Sequence, residues 1–316
     1  MAPTILIIGA TGNTGLPLTK HLSAHLPATH RILALTRSST SPTALHLASL
    51  PSVQVLEYSY PEITTSWLLE HEIQRVFIST HIEPTHFSEE SQFLLVARAA
   101  GVKYVVRMST TAANVHAVTL PYYARSHWAI ETLLSSSEFS GSGELKWTSL
   151  QPNGFTNIYL YTAAAFIQEY RATGSVPETL HLGADENAKV GIINPADVGI
   201  LAAKLLLSSD AEVARHNGKK YVLNGPEDIT GRGIVDLVEK FLDGKKVKEV
   251  KYRDIAMLNG IIVQSPYPKT LISSLKHALE VNWDGKCSVA TTSKEVFEIA
   301  APKGTPEEAL KAMLGQ

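Results

Sequence analysis

Apolar residues in the first half of the chain fall in short unbroken runs, separated by stretches where they recur at helical spacing. The runs at 4–8, 30–36, 53–58, 75–79, 102–109 and 146–151 predict six strands. Between them the spacing predicts helices over 16–26, 64–71 and 88–100, and a fourth that starts near Pro121 and carries Ile130, Leu133 and Leu134. Strands that are apolar throughout, alternating with helices, predict a mainly parallel sheet covered on both faces, an α/β, doubly wound fold. Ligands bind such sheets beyond the carboxyl ends of the strands. Thr11, Arg37, Thr80 and Ser109 all fall there, on one rim. The Ser/Gly-rich stretch from Ser135 to Gly143 reads as a surface loop.

Beyond Phe155 the pattern changes. It predicts one long helix over 156–173, short strands over 178–182 and 189–193, a helix from Pro195 to Leu207 with Asp197 in its first turn, and a strand over 219–224. A helix over 230–242, a charged strand over 247–252, helices near 254–263 and 268–279, and a last helix over 305–314 follow. The expected division is a sheet domain over 1–155, to which 195–225 returns, and a smaller, partly helical C-terminal lobe for substrate built from 156–194 and 226–316. Within that lobe the Ile- and Leu-rich interval 255–275 reads either as a pocket lid or as an interface.

Charge narrows the partners. Against 28 basic side chains stand 30 acidic ones, so the net charge of −2 gives no reason to expect a nucleic acid. The basic cluster Lys245, Lys246, Lys248 and Lys251 reads as a solvated strand face. The single cysteine, Cys287, cannot form an intramolecular disulfide and fits a reducing compartment, so a cytoplasmic protein is expected. No apolar run approaches the roughly 20 residues that span a bilayer. The histidines are scattered; His21 and His25 have i, i+4 spacing, but no other ligand accompanies them and no metal site is expected.

The chemistry starts at the first strand. It breaks directly into Gly9, Gly12 and Gly15 and then into a helix. This order builds a cradle for a dinucleotide. Gly9 permits the sharp exit, Gly12 lets backbone amides approach a pyrophosphate, and Gly15 lets the helix sit close on the sheet. Thr11, Asn13 and Thr14 complete the turn, whose helix N-terminus offers unpaired N–H groups to phosphate. After the second strand, where an NAD-preferring fold places Asp or Glu for the ribose 2′-hydroxyl, this chain has Thr36, Arg37, Ser38 and Ser39. Arg37 and the two hydroxyls suit a 2′-phosphate, and no carboxylate is present in that stretch to repel it. The expected cofactor is NADP(H).

Those residues, with V-F-I-S-T at 76–80, Y-V-V-R-M-S-T at 104–110, H-W-A-I-E at 127–131, Q-P-N-G-F at 151–155, P-A-D-V-G at 195–199 and Y-V-L-N-G-P-E-D-I-T at 221–230, resemble the NmrA-like group of atypical short-chain dehydrogenases/reductases. The resemblance spans about residues 4–242. It implies a Rossmann sheet and NADP(H). It leaves catalysis open, because the group holds NADPH-dependent quinone and imine reductases, isoflavone-reductase-like enzymes, and proteins that bind NADP without turnover. Ordinary short-chain dehydrogenases carry Tyr-x-x-x-Lys on the helix after the fifth strand, with a Ser at that strand's end. Here Tyr123 and His127 stand in the Tyr-x-x-x-His arrangement and Ser109 at the strand end, making these three the catalytic candidates. Tyr123 is a proton donor in this scheme and Ser109 a second hydrogen-bond donor. A histidine with an ordinary pKa near 6.5 is mostly neutral at pH 7, so His127 supports a tyrosinate less than lysine does. By the same resemblance Asn153, Gly154 and Phe155 line the nicotinamide, while Tyr159 and Tyr161 add an aromatic wall. Glu131 is expected to make only local helix contacts. The expected function is NADPH-dependent reduction of a small electrophile such as an imine or iminium ion, a quinone or an activated alkene. The alternatives are an NADP(H)-sensing regulator with a protein partner, and a non-redox isomerase or cyclase.

Overall fold

The computed structural model describes residues 3–140 and 145–316. Among the described residues there are nine strands: β1 Thr4–Ile8, β2 Arg31–Thr36, β3 Val53–Glu57, β4 Ile73–Ile78, β5 Tyr104–Met108, β6 Lys146–Pro152, β7 Thr179–His181, β8 Lys219–Leu223 and β9 Glu249–Lys251. Seven of them form one parallel sheet in the order β3-β2-β1-β4-β5-β6-β8. The chain winds outward from β1 in both directions, so the crevice at the carboxyl ends of β1 and β4 is the place where a doubly wound sheet takes its ligand. β7 and β9 pair in parallel as a separate two-stranded ribbon.

Every residue of β1 is buried, because the strand is covered on both faces. On one face Ile5, Ile7, Ala34 and Val106 pack with Leu18 and Leu22 of the helix Gly15–His25 and with Leu201 and Leu205 of the helix Pro195–Leu207. On the other, Leu6, Ile8, Val76 and Val105 pack with Phe93 of the helix His86–Ala99 and Ile130 of the helix Tyr122–Ser135. A further core, including Ile167, Leu182, Val190, Ile234 and Val238, organises the lobe. One segment of the 226–316 stretch, the helix Lys294–Ala300, instead lays Val296 on the sheet layer.

Several expected elements change on folding. The helix over 156–173 divides at Leu160, whose non-helical backbone separates Thr156–Tyr159 from Tyr161–Thr173. The stretch 189–193 is no strand. It makes two isolated bridges, Val190 to Ile229 and Ile193 to Phe155, while the Gly191 amide donates to the Cys287 carbonyl. Of the loop at 135–143, Ser137–Ser140 is a helical turn and 141–143 lies outside the described residues. The basic cluster is partly neutralised, with Lys246 on Glu239 and Lys248 on Glu178.

Candidate active site

The glycine turn is built by close approach. Gly9 takes the left-handed conformation, φ +85°, and a Cβ there would stand 2.4 Å from the Ser79 carbonyl at the end of β4. A Cβ on Gly15 would stand 2.1 Å from the Gly9 carbonyl, so only glycine lets the helix begin this near the strand. Gly12 and Asn13 are exposed, Thr14 makes no side-chain cap, and the amides of Asn13 and Thr14 donate to no described residue. Unspent amides at a helix N-terminus are what a pyrophosphate requires.

At the end of β2, Arg37 and Ser38 are exposed, and Arg37 makes no hydrogen bond or ion pair with a described residue. The expectation that no carboxylate stands here fails. Glu57, at the end of β3, accepts hydrogen bonds from both the amide and the hydroxyl of Ser39 at 2.8 Å. The two residues are 18 apart in sequence; Glu57 is in register with Thr36 at the end of β2, and Ser39 follows three residues later in the loop. One of the two hydroxyls offered to a 2′-phosphate is therefore occupied, and a negative charge stands beside the phosphate site.

Beyond the turn, between the sheet rim and the lobe, lies a cavity of about 450 Å³. Thr80, Ser109, Tyr123, His127, Gly154 and Phe155 line its sheet side. Across from them stand Tyr159 and the helix Met257–Gln264, contributing Met257, Leu258 and Ile261. No described lining residue is Lys or Arg. From the interval 255–275, Ile255 and Leu275 line the cavity as well. Tyr161 takes no part in the wall. It is 60% exposed, since residues two apart on a helical path face opposite sides and Tyr159 faces the cavity.

Tyr123 and His127 share one helix face, their rings perpendicular with centroids 6.3 Å apart. Burial, opposed by a hydrogen bond from Thr110, raises the Tyr123 pKa above its ordinary value of 10, so the hydroxyl keeps its proton. Ser109 Oγ is buried without a partner among the described residues, leaving it available to a ligand. His127 Nδ1 lies 2.9 Å from Arg107 Nη2. A guanidinium only donates, so Nδ1 accepts and the ring proton sits on Nε2. Burial, the Arg107 charge and His86 together hold the His127 pKa well below 6.5.

The network behind His127 escaped the sequence reading. Arg107 is fully buried and donates through Nε to Glu90 Oε1 at 2.6 Å and through Nη1 to Ser149 Oγ at 3.1 Å. Glu90 also accepts from His86 Nε2 at 2.6 Å. Glu131, expected to serve only its own helix, accepts from Ser149 at 2.7 Å and from Gln151, and pairs with Lys220 at 3.2 Å. The signal was in the strands: Arg107 is a charge in the apolar run of β5, and Ser149 and Gln151 are polar residues at buried positions of β6. Asn153 has a structural task besides. It borders the cavity, but its Nδ2 is spent on the Cys287 carbonyl at 2.8 Å and Asn224 Oδ1 at 3.0 Å, and its Oδ1 on the Gly154 amide. Its carboxamide ties the lobe to the sheet. Cys287 is buried, which pushes its thiol up to about 12 and removes it as a nucleophile.

Glycine turn, parallel order and the apolar cleft at the strand ends coincide with a family profile that matches residues 1–298, that of the NmrA-like family. The chain belongs to the NmrA-like family. A (4-alkanoyl-5-oxo-2,5-dihydrofuran-3-yl)methyl phosphate reductase from Streptomyces griseus is 25% identical over 292 residues, 92% of each chain. Among solved structures, an NADPH-dependent quinone oxidoreductase from Escherichia coli, complexed with NADPH, is similar with a TM-score of 0.71 and 23% identity, covering 98% of this chain and 99% of that one. A Citrobacter triphenylmethane reductase complexed with NADP(H) has the same TM-score at 19% identity, covering 98% and 100%. These likenesses in shape agree with the sheet order and the single rim.

Proposed function

We propose that this NmrA-like protein is an NADPH-dependent reductase of a small, apolar, non-anionic electrophile. The observation that carries the reading is the cavity itself. It is apolar, lies against the sheet rim beside the glycine turn, and collects three hydrogen-bonding groups, Ser109, Tyr123 and His127, on one side. The dinucleotide fits the residues present: the free amides of Asn13 and Thr14 and the bare backbone at Gly12 would hold the pyrophosphate, Arg37 and Ser38 the 2′-phosphate, and Thr80, Gly154 and Phe155 the nicotinamide end. When bound, NADPH supplies a hydride to an electrophilic carbon. The chain's own residues orient the acceptor and solvate charge that develops on it: Tyr123 through its retained proton, Ser109 through its unpartnered hydroxyl, His127 through Nε2–H.

Substrate chemistry follows from what lines the wall. Without Lys or Arg the cavity offers nothing to a phosphate ester, so the phosphorylated substrate named for the Streptomyces relative is a poor fit. Imines and iminium ions, quinones and conjugated enones need little acid assistance, and suit a site whose tyrosine and histidine are both weak acids. The test is loss of NADPH absorbance against a panel of these three classes and a matched phosphate ester, with NADH and Tyr123→Phe alongside. Oxidation with NADPH that spares the phosphate ester supports the reading. No oxidation, with NADPH binding demonstrated by titration, moves the protein to the sensing or non-redox readings.

A further inference from the structure

We propose that Arg107 is a positioning residue that acts through His127, fixing the ring as a neutral Nε2–H donor toward the cavity. This rests on the reading that His127 meets bound cofactor or substrate.

The geometry is that of a clamp. Arg107 reaches from β5 into the apolar layer between the sheet and the helices His86–Ala99 and Tyr122–Ser135. A guanidinium buried there is costly unless every edge is satisfied. Glu90 takes Nε, Ser149 takes Nη1 with Glu131 3.6 Å behind it, and His127 Nδ1 takes Nη2. Glu90 is held in turn by His86, so the guanidinium plane has little freedom to leave the imidazole. Around the ring, Arg107 comes from β5, His86 stands edge-on at 4.7 Å from the neighbouring helix, and Tyr123 lies one turn back on its own helix. Among the described residues only Arg107 donates to it, and a donor that cannot accept leaves one tautomer. A cation on Nδ1 draws electron density from the ring and strengthens the Nε2–H bond donor, while Glu90 and Glu131 screen that cation from the cavity.

A purely structural Arg107 stitches strand to helix without dictating which nitrogen carries the proton. The two roles separate in long-range proton–nitrogen spectra of protein labelled with 15N-histidine, with the His127 signals assigned by their loss in His127→Gln. The spectra are recorded on wild type, Arg107→Lys and Arg107→Met, each without substrate. Expected is a single Nε2-protonated tautomer in wild type, unchanged from about pH 6 to 8. Arg107→Lys, still a donor, keeps it in part, whereas Arg107→Met gives a tautomer mixture or a ring that gains a proton in that range. An Nδ1-protonated or doubly protonated ring in wild type overturns the proposal even if neither variant folds. So does an unchanged wild-type spectrum in Arg107→Met. Absence of NADPH oxidation would sink the reductase reading and leave these spectra standing.

Discussion

At the carboxyl ends of the neighbouring strands β2 and β3 stand a cation, Arg37, and a carboxylate, Glu57, and on the proposed function cofactor preference is the balance between them. Arg37 has no partner among the described residues to give up, so its interaction with a 2′-phosphate counts in full. Arg37→Ala is expected to weaken NADPH binding by roughly 10- to 100-fold, the range of a charge-assisted contact, and to leave NADH binding unchanged. Glu57→Gln keeps an acceptor for Ser39 and removes the charge; the NADPH-to-NADH affinity ratio should rise in a fluorescence titration. An equal change for both cofactors would mean that Glu57 merely shapes the loop. In the cavity, Tyr123→Phe should lower kcat by about 10-fold or more while NADPH affinity holds. Because Tyr123 titrates above its ordinary 10 and His127 well below 6.5, neither changes charge near neutrality, and turnover should be flat from about pH 6 to 8. A sigmoid step in that window would assign the chemistry to another group.

Elements position these side chains with different stiffness. The strand–turn–helix unit is rigid because backbone meets backbone: a methyl at Gly15 has no room 2.1 Å from the Gly9 carbonyl. Gly15→Ala should therefore abolish NADPH binding and lower the melting temperature; near wild-type affinity would show that the turn opens freely. The helix Met257–Gln264 is the opposite case. It buries no residue, and Met257 and Ile261 are about half exposed, so its apolar side chains await something to cover. Ile261→Asp should raise KM for an apolar substrate several-fold with NADPH affinity unchanged, whereas an unchanged KM would remove this helix from the substrate site. The division of 156–173 belongs to this scale too. Apolar spacing runs straight through it, and the break at Leu160 is visible only in the folded backbone.

For the whole molecule, the buried layer around Arg107 couples stability to pH. His127 has its folded pKa held well below 6.5, so the unfolded chain takes up its proton first, and stability falls as pH drops below about 6.5. Burial alone would raise Glu90, but Arg107 and His86 outweigh it and bring it below 4.5; that contribution is present above 4.5 and lost as pH falls further. Urea midpoints should therefore decline in two stages on acidification, and His127→Gln should remove the upper one. A single decline below about pH 4.5 in wild type would contradict the histidine assignment.

The sequence by itself determined what depends on neighbours along the chain: the apolar strands, the glycine turn, the common rim, and Tyr123 and His127 on one helix face. Backbone geometry alone enforces those relations, at periods of two and 3.6 residues. Only the tertiary structure decided that Glu57 meets Ser39, that Asn153 is spent on the lobe, that apolar residues of the helix Met257–Gln264 line the cavity, and that Arg107 stands behind His127. Those pairs are brought together by strand order and layer packing across 17 or more residues. No local rule links them. A charge buried among apolar residues also leaves a single polar letter in the sequence, and the carboxylates that make it tolerable appear only when the layers close.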